Sequence, residues 1–478
     1  MKADDKVLHY FKEISKIPRA SGDEGHIADY LMDFAKKRGL YAYRDKANNV
    51  IIKKPATQAD SSCPPVIIQG HTDMVYIRNE DCIIPYEQGI KLIQEDGWLK
   101  AEGTTLGADN GVAVAIALAL LDSKDLSHPA LEAVFTASEE IGLLGAAALD
   151  YSKLEGKYVI NLDTEEEGVF FTSCAGAFRN ELLIPVEYES VNEGIGIDIV
   201  IGGLYGGHSG MEINEGRGNA ICLLGRLLSE FPSGARLCSI TAEGKMNAIP
   251  VKAEAKLVCS SEQLEEIKTL VKHMEQAFKH ELSGRDEVYI SLDELGKGEH
   301  KCLKEESKTR LVSAMLLLPD GVLGMSSDIS GLVESSANTG VAESRDDAIS
   351  FLSCVRSSVG SRKEQLRRRY AALAELCKGE SICTGDYPQW EHKKHSPLRE
   401  ISMDCYESLF GEKARQAAVH AGLECGFFAE RLEGADVISF GPNLKDVHTP
   451  KERLELSSLL RVWELTVAIL ERLASERV

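Results

Sequence analysis

Along residues 1–178, short apolar runs alternate with amphipathic stretches, which predicts strands interleaved with helices. Residues 49–53, 65–69, 131–136 and 157–162 read as strands. The stretch 111–121 is apolar all round and reads as a long buried helix, with Asp109 at its first turn. Ser21-Gly-Asp-Glu24 has the spacing of a capping box opening a helix through Ile27, Leu31, Phe34 and Ala35, which Gly39 stops.

From about 178 to 390 the pattern changes. Strands at 180–184 and 196–201 are more polar, and a glycine-rich loop, Gly202 to Gly210, carries His208. A helix at 220–228, strands at 235–240 and 253–259, a helix at 264–278 and a strand at 288–292 close one β/α unit. A second unit begins near Leu311, with strands at 340–343 and 348–354 and a helix at 363–377. This reads as an inserted α+β domain of two similar halves. From 391 the first pattern resumes, with a strand at 435–440, His448 just past it, and a last helix from about 452 to 473.

The strands of the first pattern end in residues of one chemistry. His71-Thr-Asp73 follows one, Ser138-Glu139-Glu140 another, and Asn161-Leu-Asp163 a third; Asp109-Asn110 opens the apolar helix and His448 follows the late strand. Singly, these read as a surface turn, a solvated helix start and a helix cap. Together they form a set, because open α/β sheets bind ligands beyond the carboxyl ends of their strands. Two imidazoles, several carboxylates and one carboxylate left free as a base suit hydrolysis of an amide bond by two divalent metals. Asp109 is placed to bridge the metals and Asp73 to hold the second nitrogen of His71. Spacing alone leaves open which of Glu139 and Glu140 is ligand and which is base.

The chain has 478 residues, more than one core usually serves, and a formal net charge of -21. Such acidity argues against nucleic acid and anionic lipid surfaces as partners. No apolar run is long enough to span a membrane, and the N-terminus, Met1 to Val7, has no apolar signal core, so a cytoplasmic protein is expected. The 12 cysteines are scattered without a Cys-x-x-Cys pair and read as reduced core residues.

Several longer segments carry a resemblance. Gly70-His-Thr-Asp-Met-Val75, Thr104-Thr-Leu-Gly-Ala-Asp-Asn-Gly-Val-Ala113, Thr136-Ala-Ser-Glu-Glu-Ile-Gly142 and Asn161-Leu-Asp-Thr-Glu-Glu166 resemble the dinuclear zinc aminopeptidase and carboxypeptidase superfamily that includes the aminoacylases. Ile17-Pro-Arg-Ala-Ser-Gly22, Gly206-Gly-His-Ser-Gly210, Asn247-Ala-Ile-Pro250 and His420-Ala-Gly-Leu-Glu-Cys-Gly426 narrow it to the aminoacyl-histidine dipeptidases. One departure is Thr449, after His448, where relatives usually carry Ser.

The resemblance implies that His71, Asp109 and Asp163 hold one metal and that Asp109, Glu140 and His448 hold the other. Glu139 becomes the general base acting on a metal-bridging water, and Asp73 orients His71. His208 contacts the scissile carbonyl oxygen, from the same chain or from a partner subunit, while Asn247, Arg356 and Gly422 contact substrate. Arg356 suits a free carboxylate, which it can grip bidentately.

The expected fold is α/β. A three-layer zinc-peptidase-like catalytic domain is made of 1–178 and 391–478, with an inserted α+β lid and dimerisation domain at 179–390. The expected enzyme is a metal-dependent dipeptidase, a homodimer through the lid, using two divalent ions. These are zinc, with cobalt or manganese also acceptable to so carboxylate-rich a set. Two rivals remain. One is an N-acyl amino acid deacylase, which a carboxylate such as Glu424 near the amine pocket would disfavour; the other is a non-catalytic binding protein.

Overall fold

A computed structural model describes residues 3–57 and 63–475; Met1 and Lys2 of the charged N-terminal segment lie outside the described residues. The chain divides into two compact units. The first comprises Met1–Cys174, Trp390–Ala418 and Leu423–Val478, and the second Ala175–Gln389 and Val419–Gly422.

The first unit is built on an eight-stranded sheet. Its central strands, Leu131–Thr136, Val66–His71, Tyr158–Asn161 and Asp436–Ser439, lie side by side and parallel, so their carboxyl ends share one edge. Tyr41–Arg44 and Val50–Lys54 extend the sheet by antiparallel pairing on one side; Val169–Cys174 pairs antiparallel on the other, with Arg415–Val419 beyond it. Every residue of Val66–His71 and of Leu131–Thr136 is buried, because helices cover both faces of the sheet. Val50, Ile52, Val66, Ile68 and Ile160 face one core with the helices Ala3–Ile14, Gly25–Arg38, Ala108–Asp122, Pro397–Phe410 and Leu456–Ser475. The alternate residues Ile51, Ile67, Val134 and Val159 are equally buried on the opposite face, where Leu144–Ala148 and Cys425–Arg431 lie. The unit is therefore three-layered.

Two local expectations are corrected. The helix after Ser21 starts at Gly25, and Ser21 does not cap it: its hydroxyl donates instead to Asp73 Oδ2 at 2.8 Å. Gly39 does end that helix in a left-handed conformation. The last helix starts at Leu456 rather than near 452, because Arg453–Glu455 pairs with Leu444–Lys445 and with Trp98–Ala101 in a separate four-stranded sheet. His448 thus sits in the turn of a hairpin.

The second unit is built on a nine-stranded antiparallel sheet with its main core under the helices Ala220–Ser229, Ser261–Glu281, Glu305–Leu317 and Gly360–Leu376. It is made of two βαββαβ halves. One half runs Ile195–Gly202, helix, Arg236–Ala242, Ala253–Cys259, helix, Tyr289–Lys297, with the sheet order fourth-first-third-second. The other has the same order in mirror sequence, joined through Arg236–Ala242 and Val333–Ser344. Its first strand is Gly176–Pro185, which pairs with Ala348–Ser357 and Glu380–Tyr387. The sequence placed that strand in the earlier half and started the later one near Leu311. One half is in fact nested between the first strand and first helix of the other, and local pattern cannot reveal such nesting.

Candidate metal centre

At the shared strand edge, five side chains converge. His71 ends its strand with its ring 1% exposed. Its Nε2 lies 3.1 Å from Asp109 Oδ1 and 3.5 Å from Asp163 Oδ1. His448 Nε2 lies 3.2 Å from the other oxygen of Asp109, Oδ2, and 2.8 Å from Glu140 Oε1. Two triads result, His71–Asp109–Asp163 and Asp109–Glu140–His448, and Asp109 belongs to both. Ligands about 2.0–2.1 Å from a tetrahedral zinc stand about 3.4 Å from one another. The donor spacings of both triads are of that size, and the donors are the nitrogen and oxygen types zinc takes, so the residues fit two divalent cations. Glu139 joins a third grouping, with His71 and Glu140.

The loops that present these ligands are held by residues the sequence left without a role. Asp109 sits in a kink at the start of Ala108–Asp122, before a cis Asp109–Asn110 peptide and outside helical geometry. The Glu452 carboxylate, 3% exposed, collects the backbone N–H groups there: Leu106 and Gly107 donate to one oxygen at 2.8 and 3.0 Å, Ala108 and Asp109 to the other at 2.8 and 3.4 Å. The buried Arg19 donates to the carbonyls of Thr72, Asp73 and Gly107, tying the His71 loop to the Asp109 loop. Asn110 Nδ2 donates to Leu162 O and to Asp163 Oδ1. Gly70 permits the close approach of strand to helix, since a Cβ there would meet Ala113 Cβ at 2.2 Å and Asn110 Oδ1 at 2.5 Å.

Asp73 does more than face His71 Nδ1 at 3.3 Å. Its two oxygens accept the backbone N–H groups of Glu139 at 3.0 Å and Glu140 at 3.3 Å. Glu24 accepts from the N–H and hydroxyl of Ser138 at 2.9 and 2.7 Å, and Ser138 takes a left-handed φ of 53°. The acidic turn is thus fixed from both sides. Glu424 is fully buried, and its Oε2 accepts from Gln69 Nε2 at 2.5 Å and Thr136 Oγ1 at 2.6 Å. Through that oxygen it braces two strands from within, while its buried Oε1 has no hydrogen-bond partner among the described residues. Arg19 and Glu24 lay in motifs already quoted, yet nothing in their spacing told a brace from a surface charge; Glu452 carried no signal.

In the second unit, His208 lies on a short strand paired with Ala248–Ile249. Its Nδ1 accepts from Gly210 N at 3.2 Å and Met211 N at 3.0 Å, which leaves the ring proton on Nε2. Burial, helped by the Arg356 charge, lowers its pKa, so the ring is neutral at pH 7. A Cβ on Gly210 would lie 3.0 Å from Arg356 Nε and 3.1 Å from His208 Cε1, so these two side chains meet there. Arg356 is 7% exposed and donates to Tyr387 Oη at 3.2 Å. Gly422 lets the Tyr387 ring pass at 2.6 Å from where its Cβ would be. Asn247 accepts the Ser209 N–H through its carbonyl at 2.9 Å.

Comparison with known proteins now decides the family: the model of peptidase family M20/M25/M40 matches residues 67–472. The chain belongs to that family. A cytosol non-specific dipeptidase of Escherichia coli is 32% identical over 470 residues, covering 98% of this chain and 97% of the relative. The crystal structure of an aminoacylhistidine dipeptidase from Vibrio alginolyticus superimposes with a TM-score of 0.90 at 32% identity, covering 98% of this chain and 96% of that one. The aminopeptidase PepT of Bacillus cereus shares the fold, with a TM-score of 0.59 at 16% identity and 99% of each chain covered.

In this M20 peptidase, the charges of the centre act on one another. Burial pulls the His71 pKa down, but the Asp163, Asp109 and Asp73 carboxylates outweigh it and hold it well above the usual value. Hydrogen bonds to Asp109 and Glu140 lift His448 to about 10. Burial raises Asp109, yet the two imidazoles bring it below the ordinary carboxylate range. Burial drives Glu139 well up, against the opposing charge of His71.

Both imidazoles are therefore protonated at pH 7 without metal and must lose a proton to become ligands. Titration with zinc at pH 7 is expected to release protons, read as an apparent enthalpy that varies with the buffer's ionisation heat, and affinity should fall as pH is lowered. Glu452→Gln, which keeps shape but removes the charge gathering four N–H groups, should weaken metal affinity about 10–100-fold in competition with a chromogenic chelator.

Proposed function

We propose that this M20 peptidase hydrolyses the peptide bond of dipeptides, Xaa-His among them, in a two-zinc site formed by His71, Asp109, Glu140, Asp163 and His448. The observation that carries the reading is Asp109, which turns one carboxylate oxygen to each imidazole. The relation to dipeptidases over nearly the whole chain supports the substrate class. The ions, when bound, would acidify a water and polarise the peptide carbonyl.

Glu139 is the proposed general base. Burial and the carboxylates around it raise its affinity for a proton, so its ionised form, which cations bound beside it would favour, can take the proton of the attacking water and return it to the leaving amine. Asp73 is a positioning residue: it faces His71 Nδ1 and holds the N–H groups of the Glu139–Glu140 turn. The neutral Nε2–H of His208 suits a developing oxyanion. Arg356 is assigned to the substrate carboxylate, with Asn247 and Gly422 as further substrate contacts.

The unit of 1–178 and 391–478 is proposed as catalytic, and 179–390 as lid and dimerisation domain. In support of a homodimer, Tyr289–Lys297 is an outer strand of its sheet and exposes Tyr289 and Leu295. A cytoplasmic location rests on the cytosolic E. coli relative. Among the described residues no helix is long and apolar enough to cross a membrane.

The first test is a panel of β-alanyl-histidine, alanyl and glycyl dipeptides beside N-acetyl amino acids. Chelator-sensitive release of amino acids from the dipeptides is expected, and turnover of the N-acetyl compounds alone would instead make this a deacylase. Glu139→Gln should lower kcat about 10²–10⁴-fold while still binding two zinc ions by metal analysis; near-normal turnover would remove Glu139 from its role.

A further inference from the structure

Among the described residues no cysteine is in a disulfide, and two of the chain's 12 cysteines touch. Cys238 Sγ lies 3.1 Å from Cys302 Sγ, the residues standing 64 positions apart in the chain. Both belong to the second unit. Cys238 occupies a bulge in Arg236–Ala242, between Leu237 and Ser239, where the pairing with Ala253–Cys259 slips by one residue. Cys302 lies in His300–Leu303, whose ladder partner is Tyr188–Val191; these two strands form a sheet of their own. The bulge thus aims one thiol of the main sheet at a thiol of the neighbouring ribbon.

Their surroundings favour sulfur chemistry. Cys238 is partly exposed, within reach of a small solute, and Cys302 is wholly buried behind it. Arg236, two residues from Cys238, donates to Leu303 O at 3.3 Å and pairs with Glu189, the register partner of Cys302. The Arg236 guanidinium therefore spans the two strands beside the thiols. The hydrogen bond between the sulfurs holds the Cys302 thiol below its usual value, while that bond and burial push the Cys238 thiol up, so the pair's thiolate sits on Cys302.

We propose that Cys238 and Cys302 are an oxidative modification site, closing to an intramolecular disulfide by exchange with a small disulfide such as oxidised glutathione. The accessible Cys238 sulfur attacks one glutathione sulfur as its proton passes to the Cys302 thiolate 3.1 Å away, forming a mixed disulfide and expelling one glutathione thiolate, which takes that proton from Cys302. The Cys302 thiolate then attacks the Cys238 sulfur and expels the second. Two protein thiols lose two electrons and two protons, and one glutathione disulfide becomes two glutathione molecules. Closure brings the sulfurs from 3.1 Å to about 2.05 Å, the S–S bond length. The product staples the ribbon to the main sheet.

The test uses the full-length protein, incubated with oxidised glutathione, blocked with N-ethylmaleimide and mapped as peptides without reduction. A Cys238–Cys302 cross-linked peptide, lost on treatment with dithiothreitol and missing from Cys238→Ser, is expected. Recovery of both residues as maleimide adducts overturns the proposal. So does a stable glutathione adduct on Cys238 beside an unlinked Cys302, or a cross-link that joins other cysteines and persists in Cys238→Ser.

Discussion

The metal centre depends on one carboxylate being held still between two imidazoles. Asp109 offers an oxygen to each side, and its backbone is set by Glu452, which gathers the N–H groups of four successive residues. An irregular helix start leaves such donors unpaired, and a buried donor without a partner costs about 1–3 kcal/mol. Glu452 satisfies them and fixes Asp109 at once. Its own hairpin carries His448 four residues earlier, so one short segment supplies both an imidazole and the brace of the carboxylate it faces.

Around that point the protein concentrates negative charge. Asp73, Asp109, Glu139, Glu140, Asp163 and Glu424 lie near His71, and burial sharpens their mutual repulsion. Each carboxylate is countered in its own way. Asp73 is pulled down to about 2: burial works against this, but His71 and backbone donors outweigh it. Glu424 is pushed to about 7 by burial, despite the charge of His71 and the bonds from Thr136 and Gln69. Arg19 adds a buried positive charge beneath the two loops. Divalent cations would meet the remaining anionic demand, which ties metal loading to the integrity of the site.

The second unit solves a different problem. Its two nested halves build a single sheet whose helices cover one core. The loops after its strands bring His208 and Arg356 together around Gly210, a position that tolerates no side chain. Backbone donors set the tautomer of His208, so the proton on Nε2 is placed by main-chain geometry rather than by another side chain.

Most of the candidate metal donors stood out in the sequence because they follow an apolar run, and a buried parallel strand must end at the sheet edge where ligands gather. His71, Glu139–Glu140 and Asp163 could be named from that pattern. The strand and helix positions of the first unit were readable for the same reason, since period and length survive in local composition. What only the tertiary structure decided was which charges are braces. Glu24, Glu452 and Arg19 look like ordinary surface residues in a chain of this acidity, and their partners lie up to hundreds of positions away. Ser21 had a sound local signal for a helix cap and was drawn instead to Asp73. That the strand Gly176–Pro185 belongs to the later half escaped notice because hydrogen bonding across a sheet leaves no mark on sequence order. Local pattern determines what a segment can become and which chemistry it carries; long-range packing decides which partner satisfies each buried charge.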